Sequence, residues 1–67
     1  MLRYTRNDGT VAYRRMSEVT DITGYSGYLS CIKSVVKYYD RQNEIKTDLA
    51  RETPDEIMMY YLENKDK

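Results

Sequence analysis

The sequence predicts an α+β fold, with an N-terminal β-hairpin packed on a central amphipathic helix and a C-terminal helix. Three observations carry this. Asn7-Asp8-Gly9-Thr10 is a hairpin turn signal, because Asp-Gly tolerates positive φ. Tyr25, Tyr28, Leu29, Ile32, Val35, Val36 and Tyr39 recur at the three-and-four spacing of one helix face. Thr53-Pro54-Asp55-Glu56 combines an N-cap, a proline at the first helical position and a capping-box carboxylate.

Residues 1–16 form the predicted hairpin, and two turns compete for its centre. A type I turn with Gly9 as a bulge pairs Thr5 with Val11 and Arg3 with Tyr13. That splits Leu2 and Tyr4 from Val11 and Tyr13. A two-residue I′ turn at Asp8-Gly9 pairs Tyr4 with Tyr13 and places all four on one face. Burial of a single apolar face favours the two-residue turn, at the cost of setting Arg3 opposite Arg14.

Residues 17–24 (SEVTDITG) read as a short helix or a strand. Ser17 suits an N-cap and Gly24 a stop, whereas Val19, Thr20, Ile22 and Thr23 are β-branched. The capping signals favour the helix. The central helix is expected over 26–43 from an N-cap at Ser26, with Ser30, Lys33, Ser34, Lys37 and Arg41 on its polar face. Residues 44–52 are then a connector holding Ile45 and Leu49 against the core. The C-terminal helix spans 54–64, and its Ile57-Met58-Met59-Tyr60-Tyr61-Leu62 run is apolar all round. Within it, Ile57, Met58, Tyr61 and Leu62 form a stripe for the core, leaving Met59 and Tyr60 roughly opposite. The terminal NKDK is expected to fray.

At 67 residues the chain suits a single small domain, near the lower limit of independent folding. Eleven basic residues balance eleven acidic ones, so no bulk charge draws it to nucleic acid or acidic lipid. The distribution is uneven. Arg3, Arg6, Arg14 and Arg15 against Asp8 give the first sixteen residues +3, leaving −3 for the rest. The opening MLRYTR has no apolar leader core, no run is long enough to span a bilayer, and one cysteine forms no intrachain disulfide. A cytoplasmic location is the expectation. All eight aromatic residues are tyrosine, each with a hydroxyl that needs a partner when buried, which predicts a shallow core.

Function is less legible. Histidine, the commonest general base and metal ligand, is absent, and Cys31 reads as an inert thiol buried mid-helix. No nucleophile–base pair, phosphate loop or metal constellation stands out, so no enzyme activity, cofactor or metal site is expected. The leading expectation is a non-enzymatic regulator or inhibitor that binds another protein, or itself as a homodimer. Tyr38, Met59 and Tyr60 are its candidate interface, since Tyr and Met are enriched at interface cores. The alternative is a DNA-binding helix-turn-helix regulator built on residues 17–41 with Gly24 at the turn. Its candidate contacts are Arg3, Arg6, Arg14, Arg15, Lys33, Lys37 and Arg41. The competing explanation of these cations is a solvated face at 33, 37 and 41, with the hairpin arginines paired to acids of the C-terminal third.

Overall fold

In the computed structural model, which describes residues 1–64, five strands precede one α-helix. β1 (Leu2–Thr5) and β2 (Val11–Arg14) form a two-stranded antiparallel sheet. A 3-10 turn (Met16–Glu18) leads into β3 (Val19–Gly24). β3, β4 (Ser34–Tyr39) and β5 (Ile45–Ala50) form a three-stranded antiparallel sheet in that order, and α1 (Pro54–Asn64) follows. The α+β class and the C-terminal helix are as expected. Of the NKDK end expected to fray, Asn64 is the last residue of α1, and residues 65–67 lie outside the described residues.

The hairpin takes the register that the sequence argument set aside. Leu2 pairs with Arg14, Arg3 with Tyr13, Tyr4 with Ala12 and Thr5 with Val11. Gly9 N–H donates to Arg6 O and Arg6 N–H to Thr10 O, with Gly9 at φ +93°, the pattern of a type I turn closed by a glycine bulge. The Asp8 carboxylate accepts from the backbone N–H and hydroxyl of Thr10, which holds the turn in this form. The small Ala12 faces inward opposite the large Tyr4, so Val11 and Tyr13 remain exposed. Matching volumes across the strands outweighs collecting every apolar residue on one face.

The largest correction concerns the central helix expected over 26–43. Residues 25–33 are a loop, 34–39 are β4 and 40–44 are a turn. The helical spacing is present in the sequence, but its stripe is split. Val36 and Ile32 are buried, while Tyr28 is 93% exposed and Tyr39 42% exposed. Ser34, assigned to the polar face of that helix, is fully buried and donates its hydroxyl to Glu52 O at 2.7 Å. As a helix this segment would bury one stripe. As a strand it is hydrogen-bonded on both edges, to β3 and to β5. Val35-Val36 and Tyr38-Tyr39 are strong strand formers, and a short apolar run satisfies both periods.

Two further assignments change with it. Residues 19–24 are strand rather than helix, in keeping with their β-branched side chains, and only Met16–Glu18 turns helically. The connector expected over 44–52 is mostly β5, reached by a tight turn. There Asn43 N–H donates to Asp40 O, Asp40 N–H donates to Glu44 O, and Asn43 sits at φ +60°. This repeats the hydrogen-bond pattern of the first hairpin, with asparagine in place of glycine.

Leu2, Tyr4, Ala12, Val36, Ala50 and Ile57 form the buried core, with Met16, Val19, Ile22, Met58 and Tyr61 packed against it. The two sheets are joined where β1 meets the end of β5. Arg6 bridges Ala50, and Arg51 N–H donates to Thr5 O. The Glu52 carboxylate accepts from the Thr5 backbone N–H at 2.8 Å and from its hydroxyl at 2.7 Å. α1 packs on β1 and β3. Its capping box forms as expected, with Glu56 N–H donating to Thr53 Oγ1 and Thr53 N–H to Glu56 Oε1. Backbone donation from Thr53, then its hydroxyl, holds the Glu56 carboxyl below its ordinary pKa. Leu62 departs from the expected core stripe and is 54% exposed. No helix among the described residues is long and apolar enough to cross a membrane.

Candidate functional site

Strand alternation decides what happens to the hairpin arginines. Arg14 shares a face with Leu2, Tyr4 and Ala12, so it points toward the core end rather than to solvent. On β5 the same alternation turns Asp48, opposite Val36, inward. The Tyr4 hydroxyl donates to Asp48 Oδ2 at 2.5 Å. Arg14 Nη2 lies 3.4 Å and Arg6 Nε 3.5 Å from the same oxygen. The Arg14 guanidinium also stacks on the Tyr38 ring, 4.0 Å from its centroid. Burial first, and then the hydrogen bond and charge of Asp48, push the Tyr4 phenol well above its ordinary pKa, so it remains a donor. Tyr4 is fully buried, and Asp48 supplies the partner that a buried tyrosine needs.

Arg14 and Tyr38 of this cluster line a half-open hollow of about 520 Å³. Tyr13 and Arg15, the neighbours of Arg14 in the chain, line it as well. Tyr39 and Arg41 join them from the end of β4 and the turn beyond it. Two acids share the hollow, Glu18 and Asp40. Asp40 is occupied by its own turn, where Oδ1 accepts from the N–H groups of Gln42 and Glu44 and Oδ2 lies 3.9 Å from Lys46. Those backbone bonds, that from Glu44 first, hold its pKa below the ordinary carboxylate value. Among the described residues, neither Arg15 nor Arg41 has a carboxylate within ion-pairing distance.

The seven cations proposed for nucleic acid are therefore dispersed. Arg14, Arg15 and Arg41 meet at the hollow, Arg6 is engaged by Asp48, and Arg3 lies over the Tyr60 ring at 5.2 Å. Lys33 and Lys37 are exposed elsewhere, on the loop and on β4. The helix pair needed for a helix-turn-helix is not formed, because 19–24 and 34–39 are strands.

The proposed interface residues are also divided. Tyr38 lies beneath Arg14 and lines the large hollow. Met59, 60% exposed, and Tyr60 line a shallower one on α1 with Asp55, Glu56 and Glu63. Leu62, one helical turn beyond Met59, extends that apolar surface. Cys31, expected to be buried, is exposed on the 25–33 loop beside Asn7 Oδ1. Among the described residues, no three Cys, Asp or Glu side chains converge as a metal site.

Sequence reasoning missed Asp48 and Tyr39, because it placed one in a connector and the other on a helix stripe. One signal could have recovered the strand pair: Asp40-Arg41-Gln42-Asn43 carries Asp at the first turn position and Asn at the left-handed one. Alternation over Ile45–Ala50 would still have set Asp48 with Lys46 on the polar side, so its inward turn was not readable. Comparison with known protein families, with curated proteins and with solved structures finds no match to this chain.

Proposed function

We propose that this chain is a small non-enzymatic binding module acting through protein–protein contact, with the outer side of α1 as the contact surface. The observation that carries this is the exposure of Met59, Leu62 and Tyr60 together on one element, in a chain whose fully buried core is small. Large apolar side chains gathered on a short helix mark a docking face more often than isolated ones do. The surface is rimmed by Asp55, Glu56 and Glu63, and residues 54–64 themselves contain no Lys or Arg, although Arg3 of β1 reaches over the Tyr60 ring at its edge. The partner best matched to it presents apolar side chains ringed by Lys and Arg. Two copies packed through α1 would bring the same acids face to face, so a different protein suits this surface better than a homodimer.

Met59→Lys with Leu62→Lys is expected to leave the helical circular dichroism and the unfolding midpoint unchanged while abolishing partner capture. Asp55→Lys with Glu63→Lys is expected to weaken the same complex and flatten its salt dependence. Retention of the partner by both variants would overturn the proposal. A wild-type dimer in sedimentation that Met59→Lys dissolves would assign the surface to a second copy instead.

A further inference from the structure

The large hollow lies apart from the α1 surface and calls for a different ligand. Its cations, Arg15 and Arg41, have no carboxylate partner among the described residues, whereas Arg6 and Arg14 share Asp48. Guanidinium groups left free at a concave site are suited to bidentate recognition of a phosphate. Beside them stand Tyr13 and Tyr39, 56% and 42% exposed, on which a flat ring can stack. A volume of about 520 Å³ falls within the range of small-ligand sites, roughly 300–1,000 Å³. Of the two acids present, Asp40 is committed to its turn. Glu18 is the remaining one, and a carboxylate accepts hydrogen bonds from the amino group of a base such as cytosine. Within the lining, the Arg14 guanidinium lies between Asp48 and the Tyr38 ring. We propose that this hollow binds a nucleotide, an amino-bearing base stacked on tyrosine with its phosphate on Arg15 and Arg41, either free or within a single strand.

The test is an amide NMR titration of the whole chain with cytidine monophosphate. Cytidine, inorganic phosphate and a short oligodeoxycytidine strand are titrated in parallel. Cytidine monophosphate is expected to move the resonances of residues 13–18 and 39–42 and to leave those of α1 in place. Cytidine or phosphate alone is expected to bind at least ~10-fold more weakly, since each offers half of the contacts. A strand that binds ~10-fold tighter than the mononucleotide, with steep loss in salt, identifies a single strand as the source. Equal affinity identifies the free nucleotide. Arg15→Gln and Arg41→Gln, both at exposed positions, should each weaken binding several-fold with an unchanged unfolding midpoint. No perturbation at the hollow by either mononucleotide or strand would overturn the proposal. So would phosphate alone binding as well as the nucleotide, or full affinity in both variants. Met59→Lys with Leu62→Lys should leave nucleotide binding intact, so failure of one reading does not mimic failure of the other.

Discussion

A carboxylate on the inner face of a strand is tolerated only when donors or counter-charges surround it; Asp48 accepts from Tyr4 and Arg14, and the Arg6 guanidinium lies 3.5 Å away. Removing a donor and removing the acceptor have different consequences. Tyr4→Phe deletes one hydrogen bond but leaves two cations on the carboxylate, and should cost about 1–2 kcal/mol in urea unfolding. Asp48→Ala leaves Arg14 inside without its counter-charge, and should cost more, about 2–4 kcal/mol. Tyr4 also makes stability sensitive to alkali. Burial, with Asp48 beside it, raises its pKa in the folded state, so the folded chain keeps a proton that the unfolded chain releases. That contribution is complete below about pH 10 and is lost as pH rises beyond it, and Tyr4→Phe should remove this part of the alkaline loss.

At the scale of elements, both hairpins use one device, a type I turn completed by a residue in left-handed conformation. Gly9 at φ +93° needs no side-chain compromise, whereas Asn43 at φ +60° depends on the tolerance of asparagine for that region. Gly9→Val and Asn43→Val should each destabilise by about 1–2 kcal/mol in thermal or urea unfolding, while Asn43→Gly should be accommodated. The C-terminal helix offers an internal control. Ile57→Ala removes a side chain 1% exposed in the core and should cost about 2–4 kcal/mol. Met59→Ala, two residues along, should change stability by no more than about 0.5 kcal/mol. Equal costs at the two positions would mean that α1 docks by a different face.

At the scale of the molecule, the two sheets behave as one body because the end of β5 and the start of α1 reach back to β1. Glu52 is central to this, since its carboxylate meets both the backbone N–H and the hydroxyl of Thr5 while its carbonyl receives Ser34. Glu52→Ala would leave the two Thr5 donors without their acceptor, while Ser34 keeps the backbone carbonyl, and should lower stability by about 1–3 kcal/mol. Hydrogen exchange of the β1 and β2 amides should accelerate more than that of β4, because the hairpin is the part that loses its tether. The same architecture separates the two proposed surfaces. Free arginines and tyrosines gather at the hollow, and acids with exposed apolar side chains gather along α1.

What the sequence determined by itself was local chemistry. Thr53, Pro54 and Glu56 specify a helix start through their own side chains, and the helix begins there. Asp8-Gly9 specifies a hairpin turn in the same way. Tertiary structure decided what local chemistry leaves degenerate. Residues 25–39 carry a helical stripe, but within them the short run 34–39 also suits a strand, and the ladders to β3 and β5 selected it, leaving 25–33 as a loop. The hairpin register, and with it the inward turn of Arg14, was settled by the fit of Tyr4 against Ala12 and by the Asp48 carboxylate, 34 residues away from Arg14 in the chain. The hollow was hidden for the same reason, since Tyr13, Arg15, Tyr39 and Arg41 become neighbours only when both sheets are in place. Pairings between distant segments depend on volume and charge complementarity across space, which no window of contiguous residues records.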